Sequence, residues 1–304
     1  MLRLVSYRTD PTALTWKAGV ASEEAVIDLY AARAQGGQPD EGHRSVRAFL
    51  SASLQEQQQV LAWAERQLEA GDHLLSLDAV ELGPPVPDPE KIICLGLNYP
   101  EHAAEGGFDV PPVPTFFAKF RNSLVGPTSP VILPTASHFI DYEGELVVVI
   151  GRRCKHVSEQ EALAYVAGYT ICNDVSARDL QMQTSQWTAG KAIDTFAPMG
   201  PGIVLAADIP DPQALTLTTR VNGEVVQHEN TSQMIFSVAA TIAFLSSFMT
   251  LEPGDLIATG TPSGIGARRQ PPLFLREGDI VEVEIEPIGM IRNLMVAEFP
   301  RETR

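Results

Sequence analysis

Asp141-Tyr-Glu-Gly-Glu-Leu-Val-Val-Val-Ile150 begins polar and ends as an unbroken apolar run, the pattern of a strand that leaves the surface and enters a core. Glu143 and Glu145 stand two apart, and in an extended chain that spacing points both side chains to one face. Two carboxylates side by side next to an apolar strand repel each other unless something positive lies between them. A second acidic stretch, Cys172-Asn-Asp-Val-Ser-Ala-Arg-Asp179, puts Asp174 just past another apolar run, 167–172. Three oxygen donors without histidine or cysteine suit a hard cation such as Mg²⁺ or Mn²⁺, with water or substrate completing an octahedron, and disfavour zinc. Spacing alone leaves the bland alternative open, in which these are solvated carboxylates at strand ends.

Working outward, 92–95, 145–150, 203–206, 215–221, 256–259 and 281–285 read as strands, and one long helix interrupts them at 237–248. Strands without regularly alternating helices argue against a doubly wound parallel sheet and for a mostly β architecture, mixed or antiparallel, with some α. Upstream, Gly83-Pro-Pro-Val-Pro-Asp-Pro89 carries four prolines in seven residues, which removes backbone donors and disfavours both helix and central strand. The domain boundary is placed there, giving a small N-terminal α/β domain over 1–85 and a catalytic domain over 86–304. In the first, Leu2, Leu4 and Ser6 alternate as in a strand, and 26–29 is a further short apolar run. From Ser45 onward Leu50, Leu54, Leu61, Ala64 and Leu68 recur at helical spacing, and Gly71 closes the helix they predict.

The 304 residues, 44% of them hydrophobic, suffice for a sizeable core. Acidic side chains outnumber basic ones 38 to 22, for a formal net charge of -16. No run of Lys or Arg concentrates positive potential, so nucleic acid and anionic membranes are poor partners. A site for an anion must overturn this field locally, with a metal or a few buried cations. Arg3 and Arg8 interrupt any signal-like apolar stretch, and nothing later stays apolar long enough to span a bilayer, so a soluble, cytoplasmic protein is the default expectation. Cys94, Cys154 and Cys172 are odd in number and set among apolar residues, which reads as buried thiols.

Other motifs admit two readings each. His102 and Glu105 lie three apart in Asn98-Tyr-Pro-Glu-His-Ala-Ala-Glu105, a short helix with Pro100 near its start. The carboxylate could orient the imidazole, or the pair could be a surface contact. Gly106-Gly107 just after it would let the segment move as a lid. Lys191, among small and apolar neighbours in Trp187-Thr-Ala-Gly-Lys-Ala-Ile-Asp194, either snorkels or is a buried cation facing an anion. Arg178 could be structural, through its neighbour Asp179. Gly260-Thr-Pro-Ser-Gly-Ile-Gly266 lacks the Gly-Lys-Ser/Thr of a P-loop; its glycines would instead let backbone N–H groups approach a carboxylate or a reacting carbonyl.

Five segments in one order, Gly96-Leu-Asn-Tyr-Pro-Glu-His102 with Glu105, Asp141–Glu145, Asn173–Asp179, Gly190-Lys191 with Gly200-Pro201, and Gly260–Gly266, resemble the fumarylacetoacetate hydrolase family over roughly residues 90–290. The resemblance implies a rolled mixed β-sandwich, a homodimer, and a divalent cation, Mg²⁺ or Mn²⁺, held by Glu143, Glu145 and Asp174. It also implies that His102, partnered by Glu105, activates water and that Lys191 stabilises an oxyanion or enolate. Arg178, Gln181 and Thr261 would contact a small anionic 2-oxo acid. Family members hydrolyse acylpyruvates, isomerise unsaturated 2-oxo diacids or decarboxylate oxaloacetate. The leading expectation is hydrolytic C–C cleavage of an acylpyruvate-like 2,4-dioxo acid, with decarboxylation or isomerisation second and a non-catalytic carboxylate-binding module third. The chain departs from the family's larger hydrolases, in which a further acidic residue upstream of the histidine joins the metal site, and this points away from fumarylacetoacetate itself.

Overall fold

The computed structural model describes residues 1–29 and 45–299. At its centre the strand Gly144–Ile150 is buried along its whole length. Leu146, Val148 and Ile150 enter one core and Val147 and Val149 the other, so the unbroken apolar run belongs to a strand covered on both faces. It pairs antiparallel with Val166–Asn173 on one side and Leu256–Ala258 on the other. The latter runs parallel to Ile92–Gly96, which pairs antiparallel with the edge strand Thr115–Lys119. In the other direction the sheet continues through Ala197–Leu205 to the leading strand Arg3–Arg8, with Arg3 opposite Val204. Lys17–Ala21 and Ala25–Asp28 follow it, so one twelve-stranded sheet takes in strands from both sides of the proline-rich stretch.

A second, five-stranded sheet contains Thr216–Val221, Glu224–Asn230, Ile280–Glu286, Gly289–Ala297 and Val131–Leu133. Its Leu217, Val283, Ile285 and Ile291 pack with Leu146, Val148 and Ile171 of the large sheet. Against the opposite face lie Phe49, Val60 and Ala64 from helices near the N-terminus. The result is mostly β, a mixed sandwich with helices on its outer face, as the motif pattern implied.

The long helix is Val238–Phe248, capped by Ser237, whose hydroxyl accepts from the Ala240 N–H. The helix expected from Ser45 onward is two: Val46–Leu50 and Leu54–Ala70. Ser53 divides them, because its hydroxyl accepts from the Glu56 N–H and starts a new helix where hydrophobic spacing alone would continue the old one. Gly71 closes the second in the left-handed region at φ 75°. Thr115–Lys119, Glu224–Asn230 and Gly289–Ala297 are strands beyond those the apolar runs predict; the second, Glu-Val-Val-Gln-His-Glu-Asn, is too polar to show alternation. No helix among the described residues is long and apolar enough to cross a membrane, and the three cysteines are buried and free.

Candidate metal centre

The antiparallel register of the two central strands builds the site. Gly144 lies opposite Asn173 and Glu145 opposite Cys172. One step beyond, the Asp174 N–H donates to the Glu143 carbonyl at 2.8 Å, and the Glu143 N–H donates to Asn173 Oδ1 at 2.9 Å. Glu143, Glu145 and Asp174 therefore converge: one oxygen from each lies within 4.8 Å of the others, and all three residues are buried. A one-residue slip would turn every side chain of one strand to the opposite face and dissolve the cluster.

Three cations close around these carboxylates. Lys191 Nζ donates to Glu143 Oε2 at 2.6 Å and Asp174 Oδ2 at 2.8 Å, and it lies 5.0 Å from the centre of the Phe117 ring. Arg178 Nη1 is 2.7 Å from Glu143 Oε1, while Nε donates to Asp141 Oδ2 at 2.9 Å. Asp141, not Asp179, is thus the structural partner of Arg178; Asp179 accepts from Ser137 Oγ instead. The third cation, Lys119, was not singled out from the sequence. Its buried ammonium donates to Asp174 Oδ1 at 2.5 Å and to the Val175 carbonyl at 3.1 Å. The signal that drew attention to Lys191, a lysine among apolar residues, is equally present in Phe116-Phe-Ala-Lys-Phe120.

Lys191 ends the short helix Thr188–Lys191, which packs against Arg178–Gln181. Gly190 permits the approach: a Cβ there would lie 2.5 Å from the Ala177 carbonyl and 2.6 Å from the Gln181 backbone nitrogen. Gly190→Ala is therefore expected to push the two helices apart and cost about 1–3 kcal/mol in urea unfolding. Unchanged stability would show that the helices do not depend on this contact.

The same cations order the charges. Burial pushes the Glu143 carboxyl up, but Lys191, Arg178 and His102 outweigh it and hold the group below the usual carboxylate range. Burial would depress the Lys191 ammonium, yet Asp174 and Glu143 raise it above an ordinary lysine. Glu145 is the exception. Among the described residues its Oε2 accepts only the Gly260 N–H, at 2.8 Å, and burial with Asp174 and Glu143 beside it drives its carboxyl well above the usual range. The cluster is thus short of positive charge at Glu145. Oxygen ligands at about 2.0–2.1 Å from an octahedral Mg²⁺ lie about 3–4 Å apart, so the three carboxylates fit a hard divalent cation after small side-chain adjustments.

A cavity of about 280 Å³ opens from this cluster, lined by Glu143, Glu145, Arg178, Gln181, Lys191, His102 and Thr261 among others. Seven of the nine residues that the motifs point to thus line one cavity, and Asp174 joins them through Lys191 and the carboxylate cluster. His102 lies on the helix Pro100–Gly106, which starts at Pro100 as expected. Its Nδ1 is buried without a hydrogen bond among the described residues, 3.6 Å from Glu105 Oε2. Glu105 instead accepts from the Gly264 N–H at 3.2 Å, which ties this helix to the glycine-rich loop. Thr261 Oγ1 donates to the Gly144 carbonyl at 2.9 Å and accepts from Gln227 Nε2 at 2.8 Å, so its hydroxyl proton is already committed. Gln181 Oε1 accepts from Arg178 Nη1 at 3.1 Å.

A deep carboxylate cluster on a mixed β-sandwich defines the class, and residues 91–296 match the family model described as fumarylacetoacetate (FAA) hydrolase C-terminal. The chain belongs to the fumarylacetoacetate hydrolase family. Among its relatives, a mitochondrial oxaloacetate tautomerase from Xenopus laevis is 45% identical over 253 residues, covering 83% of this chain and 78% of that protein. One from Homo sapiens is 46% identical over 249 residues, covering 81% and 79%. The solved maleylpyruvate hydrolase from Sphingobium sp. SYK-6, in complex with manganese(II) and pyruvate, is 30% identical, with a TM-score of 0.77 over 97% of this chain and 99% of that one.

Proposed function

We propose that the chain is a divalent-cation-dependent enzyme that interconverts the keto and enol forms of a short 2-oxo acid of the oxaloacetate type. The observation that carries this reading is the likeness to oxaloacetate tautomerases over four-fifths of the chain. A cation held by Glu143, Glu145 and Asp174 would act as a Lewis acid toward the 2-oxo group. Lys191 uses two of its three donors on carboxylates, and the third is free to meet negative charge that develops on the 2-oxygen. In the keto-to-enol direction, His102 takes a proton from C3 at Nε2 and, as the imidazolium, gives it back at the 2-oxygen of the enolate, so that no bond between heavy atoms breaks. Glu105 beside Nδ1 would balance the imidazolium so formed.

Hydrolysis of an acylpyruvate is the second reading, supported by the likeness to maleylpyruvate hydrolase and by the histidine at the cavity wall. It needs the same enolate but adds attack by water. The two separate on product mass. Added to freshly dissolved enol oxaloacetate with Mg²⁺ present, the protein is expected to accelerate the decay of enol absorbance without loss of mass. Loss of carbon dioxide would make it a decarboxylase. A second carboxylic acid from acylpyruvates, with no effect on the enol, would restore the hydrolase.

A further inference from the structure

Among the described residues four side chains able to carry positive charge line the cavity, and three of them face carboxylates. Arg178 pairs with Asp141 and Glu143, Lys191 with Glu143 and Asp174, and His102 lies beside Glu105. Arg268, the fourth, has no carboxylate partner among the described residues, and its one hydrogen bond runs from Nη2 to the Gly106 carbonyl at 3.0 Å. Its neighbour Arg269 is already paired with Glu224. In a chain of net charge -16, an uncompensated guanidinium beside a cavity is where attraction for an anion concentrates. The cavity's ends differ in the same sense: Glu143, Glu145 and Lys191 are buried, whereas Arg268 is exposed.

We infer that Arg268 binds the substrate's second carboxylate at the cavity mouth and so selects dicarboxylic over monocarboxylic 2-oxo acids. This rests on the reading that the 2-oxo acid head occupies the carboxylate cluster. A guanidinium offers five N–H donors in a planar fork that matches a carboxylate bidentately, and the Gly106 carbonyl takes only one of them. Lysine keeps the charge at this place but loses the fork, while methionine keeps most of the stem and loses both.

The test compares two ligands with the same head, oxaloacetate and 2-oxobutyrate, in which a methyl stands where oxaloacetate has its 4-carboxylate. Binding to the Mn²⁺-loaded wild type, Arg268→Met and Arg268→Lys is measured by calorimetry, independently of turnover. Arg268→Met is expected to weaken oxaloacetate about tenfold or more while changing 2-oxobutyrate less than about twofold, the size of a lost charged hydrogen bond. Arg268→Lys should recover part of the loss. Equal weakening of both acids would mean that Arg268 only caps the Gly106 carbonyl, and would overturn the inference. So would unchanged binding of both, or a wild type that does not distinguish them. A wild type that binds Mn²⁺ but neither acid would instead sink the underlying reading of the cluster, and the inference with it.

Discussion

Removal of divalent cations with a chelator is expected to abolish turnover, and Mg²⁺ or Mn²⁺ to restore it. Glu145 is the one carboxylate of the three that no side-chain cation among the described residues reaches, so it is left for a metal to hold in its charged form. Without a cation the protein's own lysines can hold Glu143 and Asp174, so the fold should persist, but the 2-oxo group lacks a Lewis acid and has only the Lys191 ammonium to meet its charge. Cation binding should also raise the melting temperature, since a ligand at about a hundred times its Kd stabilises by about 2.7 kcal/mol. Replacing Glu145 by alanine should weaken Mn²⁺ binding by roughly tenfold or more, at least the effect typical of an outer-shell partner. Full activity in excess chelator would remove the cation from the mechanism.

Lys191→Met should reduce kcat by about 10²–10³, or about 2.7–4 kcal/mol, if its free donor meets the charge that develops on the 2-oxygen. The substitution keeps the apolar stem against Phe117 but leaves Glu143 and Asp174 without the ammonium that bridges them. Breaking a buried pair from one side costs about 3–5 kcal/mol, so the variant should melt lower than wild type without metal. Mn²⁺ should recover part of that loss, because it supplies charge to the same carboxylates. A kcat near wild type would confine Lys191 to holding the carboxylates in place. Steady-state kinetics and melting curves, each with and without Mn²⁺, separate the two roles.

Much of the fold was legible because burial leaves a mark on sequence. The apolar run 146–150 reads as a buried strand, and the four prolines before 90 disfavour a central strand there. Ser53 shows the limit: a capping hydroxyl divides a helix that hydrophobic spacing would join. Glu224–Asn230 shows another, since a polar strand is held by the neighbour it pairs with rather than by its own alternation.

Read as a string of residues, the chain already shows the candidate donors of the site: carboxylates at Glu143, Glu145 and Asp174 that could hold a hard cation, a histidine on a proline-started helix, and a lysine among apolar residues. The tertiary structure decided their mutual distances, the roles of Lys119 and Asp141, and the isolation of Arg268. Lys119 and Asp174 are 55 positions apart, and Arg268 meets Gly106 across 162. Local spacing fixes which face a side chain takes, but only strand register and loop packing fix which distant charge it meets, and in a buried cluster that neighbour sets its charge.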